Sequence, residues 1–135
     1  MPLDLALSTN TPTATLELRQ AQRLGDQGRI AAFLVVRSGA FAAALPFVFT
    51  RDALTTFAEA LDCIGPRARG TASLAAHAGN DVVRFEAMTT GQLRIAGDIH
   101  ETEDAPQHLQ FNFPAEWAGI PLFANGLRQL IVATA

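Results

Sequence analysis

The hydrophobic pattern changes period several times along the chain, and each change marks an element. Thr15-Leu16-Glu17-Leu18-Arg19 alternates polar and apolar residues, which predicts a half-buried strand. Gly25-Asp26-Gln27-Gly28 is turn chemistry. The apolar runs Arg29–Arg37 and Phe41–Thr50 then flank Ser38-Gly39 and predict a hairpin. In the second run Phe41, Ala43, Leu45, Phe47 and Phe49 share one face, and Ala42, Ala44, Pro46 and Val48 share the other. Pro46 has no N–H to give a ladder, so this strand is expected at a sheet edge or a bulge.

The period then lengthens to that of a helix. Leu54, Phe57, Ala58, Leu61 and Ile64 form one stripe, Thr50 suits the N-cap, Asp52 suits the positive end, and Gly65-Pro66 is a stop signal. A meander is expected next, with strands at Thr71–Ala78, Val82–Met88 and Gln92–Ile99 divided by the turns Gly79-Asn80 and Thr90-Gly91. The polar loop Glu101–Gln107 leads to a strand at His108–Phe113, closed by Pro114. Trp117, Ile120, Phe123, Ala124, Leu127, Leu130 and Ile131 give a second helical stripe, with Arg128 towards its negative end.

The expected architecture is therefore α+β, in the order βββα-ββββα. Residues 1–13 form a loose N-terminal segment, and 14–135 form one domain with an antiparallel sheet of about seven strands and both helices on one sheet face. Phe47-Val48-Phe49 before Phe57-Ala58-Glu59-Ala60-Leu61 is echoed by Phe111-Asn112-Phe113 before Phe123-Ala124-Asn125-Gly126-Leu127. A duplication produces such an echo, and so do two amphipathic strand–helix units obeying the same periods.

Composition narrows the function classes. Apolar residues make up 49% of the 135 positions and charged ones 17%, which excludes a disordered chain. Thirteen acids against ten bases leave a net charge of −3, which argues against a nucleic-acid binder. The bases are all Arg and Ala is abundant, a skew expected of a GC-rich bacterial genome. No basic, apolar leader opens the sequence and no run approaches the roughly 20 apolar residues of a membrane helix, so a cytoplasmic protein is expected. The lone Cys63 has no partner for a disulfide and is expected as a small apolar side chain near a helix end.

Catalytic chemistry finds little support. Ser8, Ser38 and Ser73 lack a nucleophile-elbow context, and Gly65-Pro66-Arg67-Ala68-Arg69-Gly70 is basic and flexible without being a phosphate loop. His100 and His108 flank a loop holding Glu101, Glu103 and Asp104, the one place where metal-ligand types crowd together. Without a strict ligand spacing, a solvated acidic hairpin accounts for them, and no metal or cofactor is assigned. Surface binding is the stronger expectation. Four acids fall within the seven residues Asp98–Asp104, a local negative patch suited to a basic partner, with Asp98, His100, Glu101, Glu103 and Asp104 as candidate contacts. The Ala-rich face of Phe41–Thr50 is a second candidate surface, for a partner or a homodimer, unless a curved sheet buries it. Trp117 is expected to anchor the second helix.

The helix Phe57-Ala58-Glu59-Ala60-Leu61 after a two-strand hairpin, the late strand Gly91-Gln92-Leu93-Arg94-Ile95-Ala96-Gly97 and the Leu-rich closing helix follow one another in an order that resembles small bacterial proteins of the WapI-type immunity family and related small domains of unknown function. The resemblance spans Arg29 to Val132, carries no catalytic motif and places no residue in a role; the present chain is longer at its N-terminus. It implies a non-enzymatic protein that neutralises a toxin from the same locus. Two other classes stay open: a ligand- or metal-binding domain or small enzyme with a pocket between sheet and helices, and a structural homo-oligomer.

Overall fold

The computed structural model describes residues 3–7, 14–25, 27–64, 70–77, 79–88, 92–101 and 107–135. Strands β1 (Leu3–Leu7), β2 (Ala14–Leu24), β3 (Arg29–Ser38) and β4 (Phe41–Thr50) precede helix α1 (Arg51–Ile64). Strands β5 (Thr71–Ala75), β6 (Val82–Ala87), β7 (Leu93–Glu101) and β8 (Gln107–Ala115) precede a short 3-10 turn and helix α2 (Ile120–Ala133). Each set of four strands is an antiparallel meander in sequence order. The expectation of one sheet of about seven strands is thus corrected to two four-stranded sheets. Pro46 explains the break. Strand β4 is the outer strand of its sheet, and a strand carrying an interior proline cannot accept a further neighbour along its whole length. The chain leaves through α1 and starts a new sheet. Leu3–Leu7, inside the segment expected to be loose, forms β1 and pairs with β2.

Helix α1 begins where the sequence places it, with Thr50 Oγ1 accepting the Ala53 N–H at 3.0 Å. Its buried stripe is Leu54, Phe57, Ala58, Leu61 and Ile64. Helix α2 buries Ile120, Phe123, Ala124, Leu127 and Leu130. The helices touch each other; α1 lies along β5 and α2 along β1, so each bridges to the sheet of the other half. Arg51 fastens the pair by donating to the Ile131 carbonyl at 3.0 and 3.2 Å, and Arg128 pairs with Asp62. Phe85 of β6 packs edge-on against Phe57 of α1 and stacks on Phe123 of α2, with ring centroids 5.3 and 5.5 Å apart. The core therefore lies between the helices and the inner faces of both sheets, and the outer sheet faces are left open. Cys63 stands one residue from the end of α1, as expected, with its side chain exposed. Trp117 is half-buried and packs against the core.

Two close approaches fix glycines. A Cβ on Gly97 of β7 falls 2.6 Å from the Phe111 ring and 2.7 Å from the Val82 carbonyl oxygen. At Gly126 of α2 a Cβ runs into the Leu5 side chain, so this glycine lets β1 lie against the helix.

Candidate docking cleft between β4 and the β7–β8 hairpin

The edge strands of the two sheets approach each other at one end of the molecule. A cleft of about 440 Å³ separates the first half of β4, Phe41 to Leu45, from Ile99 and His100 of β7 and Gln107, His108 and Leu109 of β8. The middle of its β4 wall, Ala42 to Ala44, is alanine backbone and methyls. Phe41 shares the face of Leu45 and Phe47 in sequence, yet it is 69% exposed. The parity was right, but β4 outruns the core at its start, so Phe41 hangs beside the cleft instead of filling the interior. Ala42, Ala44 and Pro46 are exposed as well, so sheet curvature does not bury the Ala-rich face. That face continues across Phe33, 45% exposed, into a shallow depression of about 340 Å³ lined by Asp4, Arg19, Gln20, Phe33, Val35 and Ala44. Gln20 sits there at φ 54°, in a bulge of β2, and its N–H donates to Asp4 Oδ1 at 2.8 Å.

The opposite wall carries the histidines. Pairing of β7 with β8 sets His100 directly across from His108, and the rings stack with centroids 4.3 Å apart and planes 10° from parallel. Each ring is held by a carboxylate. His100 Nδ1 lies 2.8 Å from Asp81 Oδ1, which also accepts the His100 backbone N–H at 3.0 Å. His108 Nε2 lies 2.9 Å from Asp98 Oδ1, and Arg84 stands 3.6 Å from Asp98 Oδ2 and 3.7 Å from Glu86. Hydrogen bonds from Gln110 and His108, with a smaller contribution from the Arg84 charge, hold the Asp98 carboxyl below the usual carboxylate range, against a small opposing effect of burial. An ionised carboxylate only accepts, so His108 carries its proton on Nε2 in this pair.

Of the five candidate contacts, Asp98 and His100 come together on the outer face of the second sheet, each already engaged by a neighbour. Glu101 ends β7, with its side chain outside the described residues, and Glu103 and Asp104 lie outside them altogether, as do Arg67 and Arg69. Sequence reasoning missed Phe41, Leu109 and Asp81. Only the exposed proline-bearing strand hinted at the first of these, because the cleft joins segments from both halves.

A carboxylate behind each imidazole is the outer arrangement metal-binding histidines use. Here, however, the rings are stacked face to face, and one nitrogen of each is already taken by a carboxylate. Among the described residues no three His, Cys, Asp or Glu side chains are grouped to hold a metal. The arrangement favours contact: a flat imidazole stack, an exposed phenyl ring and apolar side chains, with the polar Gln107 and the two histidines among them. No helix among the described residues is long and apolar enough to cross a membrane.

No protein-family model matches the chain, and no curated protein does. Among solved structures, a chain from the crystal structures of Trypanosoma bruciei MRP1/MRP2 is similar, with a TM-score of 0.54 over 97% of this chain and 84% of that one. At 9% identity that similarity is one of fold alone.

Proposed function

We propose that this chain is a non-enzymatic binding protein that takes a protein partner into the cleft between β4 and the β7–β8 hairpin. The observation that carries the proposal is the cleft itself, whose walls set exposed Phe41 and the Ala42–Ala44 stretch opposite Leu109 and the carboxylate-anchored His100–His108 stack. Aromatic and apolar groups inside a polar rim are the make-up of an interface centre. The connection from β7 to β8 adds Glu101, Glu103 and Asp104 in sequence, so a partner with a basic patch is complementary. In its narrower form the partner is a toxin and this chain its immunity protein, as the element order of that family suggests.

The test is capture from the native host with the immobilised chain, comparing wild type with Leu109→Arg, with Glu103→Lys/Asp104→Lys, and with Leu122→Arg on the outer face of α2. A partner held by wild type and by Leu122→Arg, but weakened at least ~10-fold by the cleft substitution and by the acid reversal, is the expected result; that factor is only about 1.4 kcal/mol. A partner held equally by all four proteins contradicts the cleft assignment. A toxin gene beside this reading frame is the further expectation of the narrower form.

A second possibility, metal binding, draws on the carboxylate-backed histidines alone. Stoichiometric zinc in the purified protein, lost together with thermal stability on chelation, is the result that favours it.

A further inference from the structure

Resting on the docking role proposed above, we infer that the partner is held as an extended segment added as a strand to the open end of β4, from Phe41 to Leu45. In an antiparallel pair the backbone groups of alternate residues point towards the partner strand and away from it. The Val48 carbonyl accepts the His77 N–H at 2.7 Å, from outside the sheet, so Val48 faces away from β3. The same two-residue step turns Pro46, Ala44 and Ala42 outward. These four positions differ in what they offer. Pro46 has no N–H, and the Val48 carbonyl is taken. Ala42 and Ala44 keep both their N–H and C=O groups without a hydrogen bond among the described residues.

The edge is thus closed at the α1 end and open at the cleft end. Natural edges are blunted by charge, proline or a bulge; Pro46 does so for one half of β4, and nothing in Phe41-Ala42-Ala43-Ala44-Leu45 does so for the other. A strand laid there at the usual spacing of about 4.8 Å runs into the cleft, where Gln107, His108 and Leu109 close its far side. Alternate side chains of the segment then meet two different surfaces. One set enters the cleft against Leu109 and Phe41. The other lies over the outer sheet face beside Phe33 and Val35. The segment that fits has small or apolar residues at alternate positions.

A second copy of β4 is a poorer occupant. Antiparallel pairing about a two-fold axis at Ala43 sets Pro46 of each strand opposite Ala40 and stops after the Ala42 and Ala44 groups. So short a contact falls far below the roughly 1,200–2,000 Å² that stable interfaces bury.

The test uses a random linear 12-residue peptide display library panned on the full chain, with the selected sequences made as free peptides and titrated. The expected peptides bind wild type and lose at least 10-fold on Ala44→Pro, which removes one outward N–H as Pro46 already does nearby. N-methylation of the peptide is expected to abolish binding at every second position only, and the Ala42 and Ala44 amides to gain hydrogen-exchange protection. Peptides that bind in the cleft but ignore Ala44→Pro and N-methylation overturn strand addition and leave the docking role standing. A captured partner lost on Leu109→Arg, with no peptide selected by wild type, does the same. A concentration-dependent dimer abolished by Ala44→Pro overturns it in favour of a second copy.

Discussion

At the residue scale, Asp98 is the most constrained charge near the cleft. Gln110, His108 and Arg84 all favour its ionised form. Its folded value lies below its unfolded one, so ionised Asp98 stabilises the fold above the ordinary carboxylate range. That contribution disappears as pH falls through the depressed folded value, below about pH 4. The Asp98→Asn protein is therefore expected to be less stable than wild type at pH 7, with the gap narrowing towards pH 3. Urea midpoints at the two pH values check this; a gap that stays constant contradicts the assigned role. The same residue shows what sequence conveys at this scale. Four acids in seven residues are visible at once, but that two of the nearest groups are already tied to one another is not. Asp81, which anchors His100, lies nineteen residues away in another loop.

At the element scale, the strands owe their lengths and faces to alternation, which is why their cores were legible. Leu16, Leu18, Leu45, Phe47, Phe49, Ile95, Phe111 and Phe113 are all buried on the faces their spacing assigns, whereas the unbroken apolar run of β3 leaves open that Ile30 and Leu34 face inward and Phe33 outward. The Thr50 cap and the two helical stripes were legible for the same reason, since local periods and caps act within a few residues. Sheet membership was not, because it depends on whether β4 accepts a neighbour. Pro46 contained that answer: an edge strand followed by a helix ends a sheet. Gly97 gives the packing a sharp test. An added methyl meets the Phe111 ring and, less forgivingly, the Val82 carbonyl of the adjacent strand. Gly97→Ala is expected to cost about 1–3 kcal/mol, the usual penalty of overpacking. Chemical denaturation measures it; a stability within about 0.5 kcal/mol of wild type would show that β6, β7 and β8 pack more loosely than described.

At the scale of the whole molecule, two strand–helix halves exchange helices across a shared core, and the cleft lies where strands of both halves face each other. Helices pack on the inner side of both sheets, and β4, β7 and β8 line an open cleft at the far end. No local sequence signal describes such a place. Its walls come from Phe41–Leu45 on one side and from Ile99, His100, Gln107, His108 and Leu109 on the other, more than fifty residues apart, and Phe41 follows the rule for a core residue while standing beyond the core. The flanking of one polar hairpin loop by His100 and His108 is legible in the sequence, but that these histidines face β4 across a cleft is not. Hydrogen exchange of the chain with and without its captured partner tests the docking role most directly. Protection concentrated in Phe41–Leu45 and Gln107–Leu109 is the result expected. Protection confined to the outer face of α2, around Leu122 and Val132, with the cleft unchanged, would contradict it.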